Sequence, residues 1–359
     1  MNDKPFRLGH IPALDGLRAV AVTWVIAYHY GLPLGRLGSL GVDMFFVLSG
    51  FLISSLLAAE WLSTGGISLC RFYLRRALRL LPALWLMLLV FGPLLPPGNA
   101  VAATAFASNW AFILGWLPAD GIFTHLWSLS IEGQFYCFWP VALMVLLRLH
   151  RPRMAVAATL SLAVLSALWR AALWHWGGDW VRVDYGTDTR MDGLLLGSAL
   201  GLAVQLDLAP SAREIGRALT LLSAAAFLLV AALLVMPPLS QTIMGCLVIP
   251  LVNVATAVMI ARVAIYPAGL LRQILSRGPL VWIGGISYAL YLWHFPIGAL
   301  VDVMVPTTDH LALATLKVVL SVAMAGLSHR YVESPALRLR PPIERLFAPA
   351  LHRLTVRTR

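Results

Sequence analysis

Apolar runs of about twenty residues, each closed by a short stretch bearing Pro, Gly or Arg, recur along the whole chain. A run of that length, wound as an α-helix at about 1.5 Å per residue, crosses a hydrocarbon layer of about 30 Å. Eleven such segments are predicted, at 12–31, 39–59, 77–95, 101–117, 124–147, 154–175, 189–206, 218–236, 241–261, 279–301 and 310–330. The apolar spacing is not the two-residue alternation of an outer-membrane barrel. The pattern predicts an all-α, polytopic membrane protein.

Loop charge refines the count, because Lys and Arg gather on the cytoplasmic side. Lys4 and Arg7 put the N-terminus inside, and two spans later Arg71, Arg75, Arg76 and Arg79 fall inside again. Arg148, Arg151 and Arg153 agree only if one intervening segment does not cross. The weakest is 101–117, VAATAFASNWAFILGWL, which is short and rich in Ala, Ser and Asn. It is predicted as a re-entrant or interfacial helix. About ten crossings remain, with both termini cytoplasmic, and Arg213 and Arg217, Arg262, Arg272 and Arg277, and the tail from Arg330 keep the alternation. Residues 1–340 read as a single integral-membrane domain and 341–359 as a cytoplasmic basic tail. The first apolar run is too long and too charged for a cleavable signal peptide, so none is expected.

Composition agrees with this reading. Of 359 residues, 60% are hydrophobic and only 12% charged, where soluble domains carry about 25%. The net charge of +11 would suggest nucleic acid in a soluble chain. Here arginine-rich cytoplasmic loops explain it, and no nucleic-acid partner is expected. Cys70, Cys137 and Cys246 are isolated and lack metal-ligand spacing, so they read as packing residues and no metal is expected.

The unusual residues are the charges inside the apolar runs. Arg18 and His29 stand eleven residues apart in the first span, LDGLRAVAVTWVIAYHY. On an α-helix that is about 1100°, three turns plus roughly 20°, with a rise of about 16 Å, so both side chains share one face. A guanidinium at membrane depth needs an anion or a wetted cavity. In RFYLRRALRLLP, Arg75, Arg76 and Arg79 repel one another at spacings of three and four. An anionic ligand relieves that repulsion, and the arginine fork suits phosphate, although a plain positive-inside loop would look the same. Orientation places Asp43, His125, Glu132, Arg190, Asp192 and His294 toward the outer half. Each alone is more often structural. Together they predict an anion-binding mouth inside and an acid/base cluster further out.

In order along the chain, LDGLRAVAV, the Arg18-to-His29 spacing, GVDMFFVLSGFLI, FYLRRALRLLPAL, HLWSLSIEGQFYCFWP, TRMDGLLLG, ISYALYLWHFPI and ESPALRLR resemble the acyltransferase-3 family of integral-membrane O-acyltransferases. The resemblance covers residues 12 to about 340. It implies an acyl-CoA-dependent acyltransferase that moves an acyl group, usually acetyl from acetyl-CoA, onto a hydroxyl of a carbohydrate such as an envelope polysaccharide, lipopolysaccharide, exopolysaccharide, peptidoglycan or a Nod factor, or of a macrolide. It implies residence in a bacterial inner membrane, His29 as the catalytic residue with Arg18 as its partner motif residue, and Arg76 and Arg79 as the family's Arg-x-x-Arg pattern for the donor. Where many members carry a second acidic residue after the match to Glu132, this chain has Gly133.

The two readings join in one expectation. The CoA phosphates bind Arg75, Arg76 and Arg79, and His29 takes the acceptor's proton or carries the acyl group itself. Glu132 or Asp43 orients the ring, and Arg18 stabilises the oxyanion or positions the donor. His125, Arg190, Asp192 and His294 line the acceptor side. The rival class is a proton-coupled transporter, which also needs intramembrane charge. Such carriers often show internal repeats, and none is evident between the halves of this chain.

Overall fold

The computed structural model describes residues 9–210, 212–237, 239–266 and 269–346. The basic markers Lys4 and Arg7, the side chain of Arg213 and the tail residues 347–359 lie outside the described set. The regular structure of the described residues is all helix, as a chain in lipid requires: each backbone N–H and C=O must find its partner within its own segment.

In chain order the helices are α1 (Pro12–His29), α2 (Leu40–Thr64), α3 (Leu69–Phe91), α4 (Pro97–Thr104), α5 (Ser108–Ile113) and α6 (Leu126–Arg148). Then follow α7 (Pro152–His175), α8 (Trp180–Tyr185), α9 (Thr187–Gln205), α10 (Ala212–Val235), α11 (Gln241–Ile243) and α12 (Ile249–Ile265). The last are α13 (Leu270–Leu275), α14 (Gly278–Gly285), α15 (Ser287–Met304), α16 (His310–Ser328), α17 (Ser334–Arg338) and α18 (Arg340–Leu346). Two π-helical turns, Met244–Val248 and His329–Glu333, interrupt the α geometry.

Among the described residues, seven helical stretches are long and apolar enough to cross a membrane, or eight if α14 and α15 count as one broken span. The chain is thus a multi-pass membrane protein. α1 and α9 are 18 and 19 residues long and stand outside that set; α9 carries Asp188, Arg190 and Asp192 among its apolar residues. The segment 101–117 holds only the end of α4 and the six residues of α5, separated by Phe106 in the left-handed region (φ 52). Neither helix reaches across a bilayer. The outward faces are greasy: Leu89 is 73% exposed, Leu168 60% and Leu228 65%, a surface suited to lipid and not to water. Cys70, Cys137 and Cys246 are free and exposed. They do not fill the core as the sequence suggested; a weakly polar thiol is tolerated on such a surface.

The described residues form two compact units. One comprises the chain up to Ser63 together with Ala142–Gly285; the other comprises Thr64–Val141 together with the chain from Ile286. The core of the first is built from α1, α2 and α12, with Leu17, Trp24, Met44, Val47, Phe51, Val252 and Met259 buried together. In this unit α2 and α9 touch backbone to backbone. A Cβ on Gly197 would stand 2.0 Å from the Val47 carbonyl oxygen, and one on Gly50 would stand 1.8 Å from that of Leu194. Only glycine permits this approach, the usual way membrane helices gain close packing. In the second unit prolines sit inside three helices, Pro82 in α3, Pro140 in α6 and Pro296 in α15.

Candidate active site

His29 closes α1. Gly31 takes a left-handed φ of 67°, the Leu32 N–H bonds the Ala27 carbonyl at 2.9 Å, and the Gly31 N–H bonds the Tyr28 carbonyl at 3.2 Å. This is a Schellman stop, and it fixes His29 as the last helical residue. Arg18 lies earlier in the same uninterrupted helix, so the shared face expected from their spacing holds. Its Nη1 is 3.8 Å from Asp15 Oδ1, and His10 Nε2 is 2.7 Å from Asp15 Oδ2. His29 is half-buried and hydrogen-bonds the Val25 backbone, with the Tyr28 ring edge-on at 5.1 Å.

The first unit also encloses a buried network of charge. Arg190 Nη2 donates to Asp43, 2.9 Å from Oδ1 and 3.1 Å from Oδ2, and Nη1 donates to Asp184 at 3.0 Å. Asp192 is gripped by both arms of Arg170, at 2.8 and 2.9 Å, and accepts from Asn253 Nδ2 at 3.0 Å. Arg170 also donates to two backbone carbonyls, Thr189 at 2.6 Å and Gly245 at 2.8 Å. Gly245 lies in the Met244–Val248 π-turn, so Arg170 ties α7, α9 and that turn together. A third pair, Arg182 with Asp188, is bidentate at 2.9 and 2.6 Å, and the indole of Trp169 donates to the same carboxylate at 2.7 Å.

Asp43 and Arg190 were expected in different roles and are partners of each other. Arg190 and Asp192, expected to meet acceptor, are each paired with protein groups, Arg190 through its two Nη atoms and Asp192 through both carboxylate oxygens. The sequence reading missed Arg170, which is 1% exposed. Its signal was present: a lone arginine in the apolar run LSALWRAALW is anomalous by the same logic that singled out Arg18.

The second unit holds the basic cluster of α3, and its arginines divide. Arg75 forms a two-armed pair with Glu344, at 2.7 and 3.3 Å, and Arg340 adds a contact to the same carboxylate at 3.0 Å. Arg76 lies over the rings of Phe72 and Tyr136, 5.7 Å from each centroid. Tyr136 in turn donates to the carboxylate of Glu132. Arg79 interacts electrostatically with Tyr288 and with Glu333, which is 1% exposed. The His329–Glu333 π-turn carries this acid, with His329 Nδ1 3.4 Å from it. Glu333 was not anticipated.

His125 and His294 are both buried, at 2% and 0% exposure, and their rings meet edge-on at 5.5 Å. The two expected acceptor-side histidines are thus brought together, with the Tyr291 ring 5.6 Å from one and 5.5 Å from the other.

These features define a multi-pass helical membrane protein with paired and clustered charge held inside its helices. The chain belongs to the acyltransferase family anticipated from its motifs: the family model described as an acyltransferase domain matches residues 11–328. It is 37% identical over 351 residues to a protein named peptidoglycan O-acetyltransferase OatA from Listeria monocytogenes, covering 91% of this chain and 56% of that one. It is 37% identical over 350 residues to the putative peptidoglycan O-acetyltransferase YrhL of Bacillus subtilis, covering 91% and 55%. It is 34% identical over 357 residues to the O-acetyltransferase OatA of Staphylococcus aureus, covering 93% and 58%. The chain therefore spans a little over half the length of these relatives. No solved structure matches it.

Proposed function

We propose that this chain is an O-acetyltransferase of a bacterial cytoplasmic membrane that moves an acetyl group from acetyl-CoA to a hydroxyl of a cell-envelope carbohydrate. The relatives' names favour peptidoglycan as that carbohydrate over lipopolysaccharide, exopolysaccharide or a macrolide. The observation that carries the reading is α1 itself: one unbroken helix, ended by a Schellman stop, that presents Arg18 and His29 on a single face.

In this reading His29 takes the proton of the acceptor hydroxyl as its oxygen attacks the thioester carbonyl. Arg18, about 16 Å along the same helix from His29 and turned toward Asp15, is too far from the oxyanion that forms and instead positions an anionic part of the donor. Collapse breaks the C–S bond, and the departing thiolate takes the proton back from the imidazolium, leaving the acetyl ester and free CoA. Arg76 and Arg79 hold the donor's phosphates. Arg75, already paired with Glu344, braces that cluster. Glu132 acts through Tyr136, and the Asp43–Arg190 and Asp192–Arg170 pairs keep the acceptor-side end of α9 in shape. The loop charges support ten crossings with both termini cytoplasmic.

The test is acetyl transfer by full-length protein in liposomes, supplied with radiolabelled acetyl-CoA and peptidoglycan fragments. Label on the fragments and release of CoA thiol, both lost in His29→Ala, are expected. Transfer from another acetyl donor but none from acetyl-CoA would put the donor elsewhere. No transfer from any acetyl donor would remove the proposal.

A further inference from the structure

Pro296 lies inside an otherwise continuous helix, α15. Proline has no N–H, so the carbonyl four residues earlier, that of Leu292, loses its helical donor. Leu292 is 0% exposed, so water does not fill the gap. His125 does: its Nε2 stands 3.2 Å from the Leu292 oxygen.

That contact fixes a tautomer. A carbonyl only accepts, so Nε2 of His125 carries the proton. By the same logic His294 carries its proton on Nδ1, which lies 2.6 Å from the Tyr291 carbonyl oxygen, and its Nε2 keeps the lone pair when the ring is neutral. The His125 backbone is held from the same helix, because the Tyr291 hydroxyl donates to the His125 carbonyl at 2.6 Å. Ser128 Oγ meets that hydroxyl at 2.5 Å. The His125 ring also stacks on Phe295, with centroids 5.1 Å apart and planes 17° from parallel.

We propose that His125 is a positioning residue: its Nε2–H replaces the backbone donor that Pro296 removes, and so holds α15 in the conformation that orients His294. This is a different task from the acceptor contact expected of His125 from sequence. It concerns the architecture of α15 and stands apart from the identity of donor or acceptor.

The test is a cycle of four full-length variants in detergent: His125→Ala, His125→Gln, Pro296→Ala and His125→Ala/Pro296→Ala. Thermal midpoint and acetyl transfer are read on each. A Gln amide can place an N–H where Nε2 stands, so His125→Gln keeps the wild-type midpoint and transfer within about threefold, while His125→Ala loses about tenfold or more. Pro296→Ala restores a backbone N–H, so adding His125→Ala to it lowers transfer by less than about threefold and barely moves the midpoint. A loss from His125→Ala that is equal with and without the Pro296→Ala change, or a Gln variant as impaired as the Ala variant, overturns the proposal and assigns the imidazole to a ligand. The midpoints decide the matter independently of whether acetyl transfer is the protein's activity.

Discussion

Arg190 of α9 and Asp43 of α2 form an ion pair 2.9 Å long with both side chains no more than 3% exposed. A buried pair of this kind gains little over a well-packed apolar pair, but losing one partner strands a charge and costs about 3–5 kcal/mol. Arg190→Leu should therefore lower the thermal midpoint sharply in detergent. Arg190→Leu with Asp43→Leu should recover most of the loss. Equal and additive losses would show that the pair is not energetically coupled.

Arg170 grips Asp192 with two arms and two backbone carbonyls besides. Lysine keeps the charge but not the fork. Arg170→Lys should lower stability by about 1–3 kcal/mol, and Arg170→Met by more, since among the described residues Asp192 would keep one side-chain hydrogen bond, from Asn253. Chemical denaturation in detergent checks this, and equal behaviour of the Lys and wild-type proteins would refute it.

A methyl at Gly197 would stand 2.0 Å from the Val47 carbonyl oxygen, backbone that does not yield as a flexible side-chain tip would. Gly197→Ala should destabilise by about 1–3 kcal/mol and reduce the folded protein recovered from membranes. At Gly326 of α16 an added methyl would meet no atom within 4 Å, so Gly326→Ala should be neutral or raise stability by up to about 1 kcal/mol. The pair of midpoints separates close packing from helix propensity.

Arg75 and Arg76 should behave differently. Arg75→Ala should have a small effect, no more than about 1 kcal/mol because both side chains are partly exposed; Glu344→Ala, which also loses Arg340, should cost somewhat more, and the double variant should equal Glu344→Ala. Arg76→Ala should instead raise KM for acetyl-CoA while leaving the midpoint within a few degrees of wild type. An unchanged KM would make the α3 cluster a topology signal alone.

His29→Ala should lower acetyl transfer by about 10²–10⁴-fold, the range of a lost general base, with the midpoint unchanged because His29 is only half-buried at a helix end. Retained activity would dismiss the catalytic assignment.

Much of this was legible in the linear chain. Length and apolarity fix helices, because lipid offers the backbone no other partners. The Arg18–His29 relation is local, carried by the 3.6-residue period of one helix, so counting residues suffices. The helix end at His29 is likewise encoded nearby, in Tyr30-Gly31-Leu32. Arg170 is visible as a lone charge in an apolar run, but nothing near it along the chain names Asp192 as its partner.

What the sequence by itself determined is the helical membrane class, the face shared by Arg18 and His29, and the set of charges that had to find partners. Tertiary structure alone decided the partners: Asp43 with Arg190 across 147 residues, Arg75 with Glu344 across 269, and His125 with the carbonyl beneath Pro296 across 167. The reason is physical. Local periodicity sets which way a side chain points, but a buried charge or an orphaned carbonyl is satisfied by whichever group the packed helices bring within about 3 Å, and no spacing along one helix contains that distance.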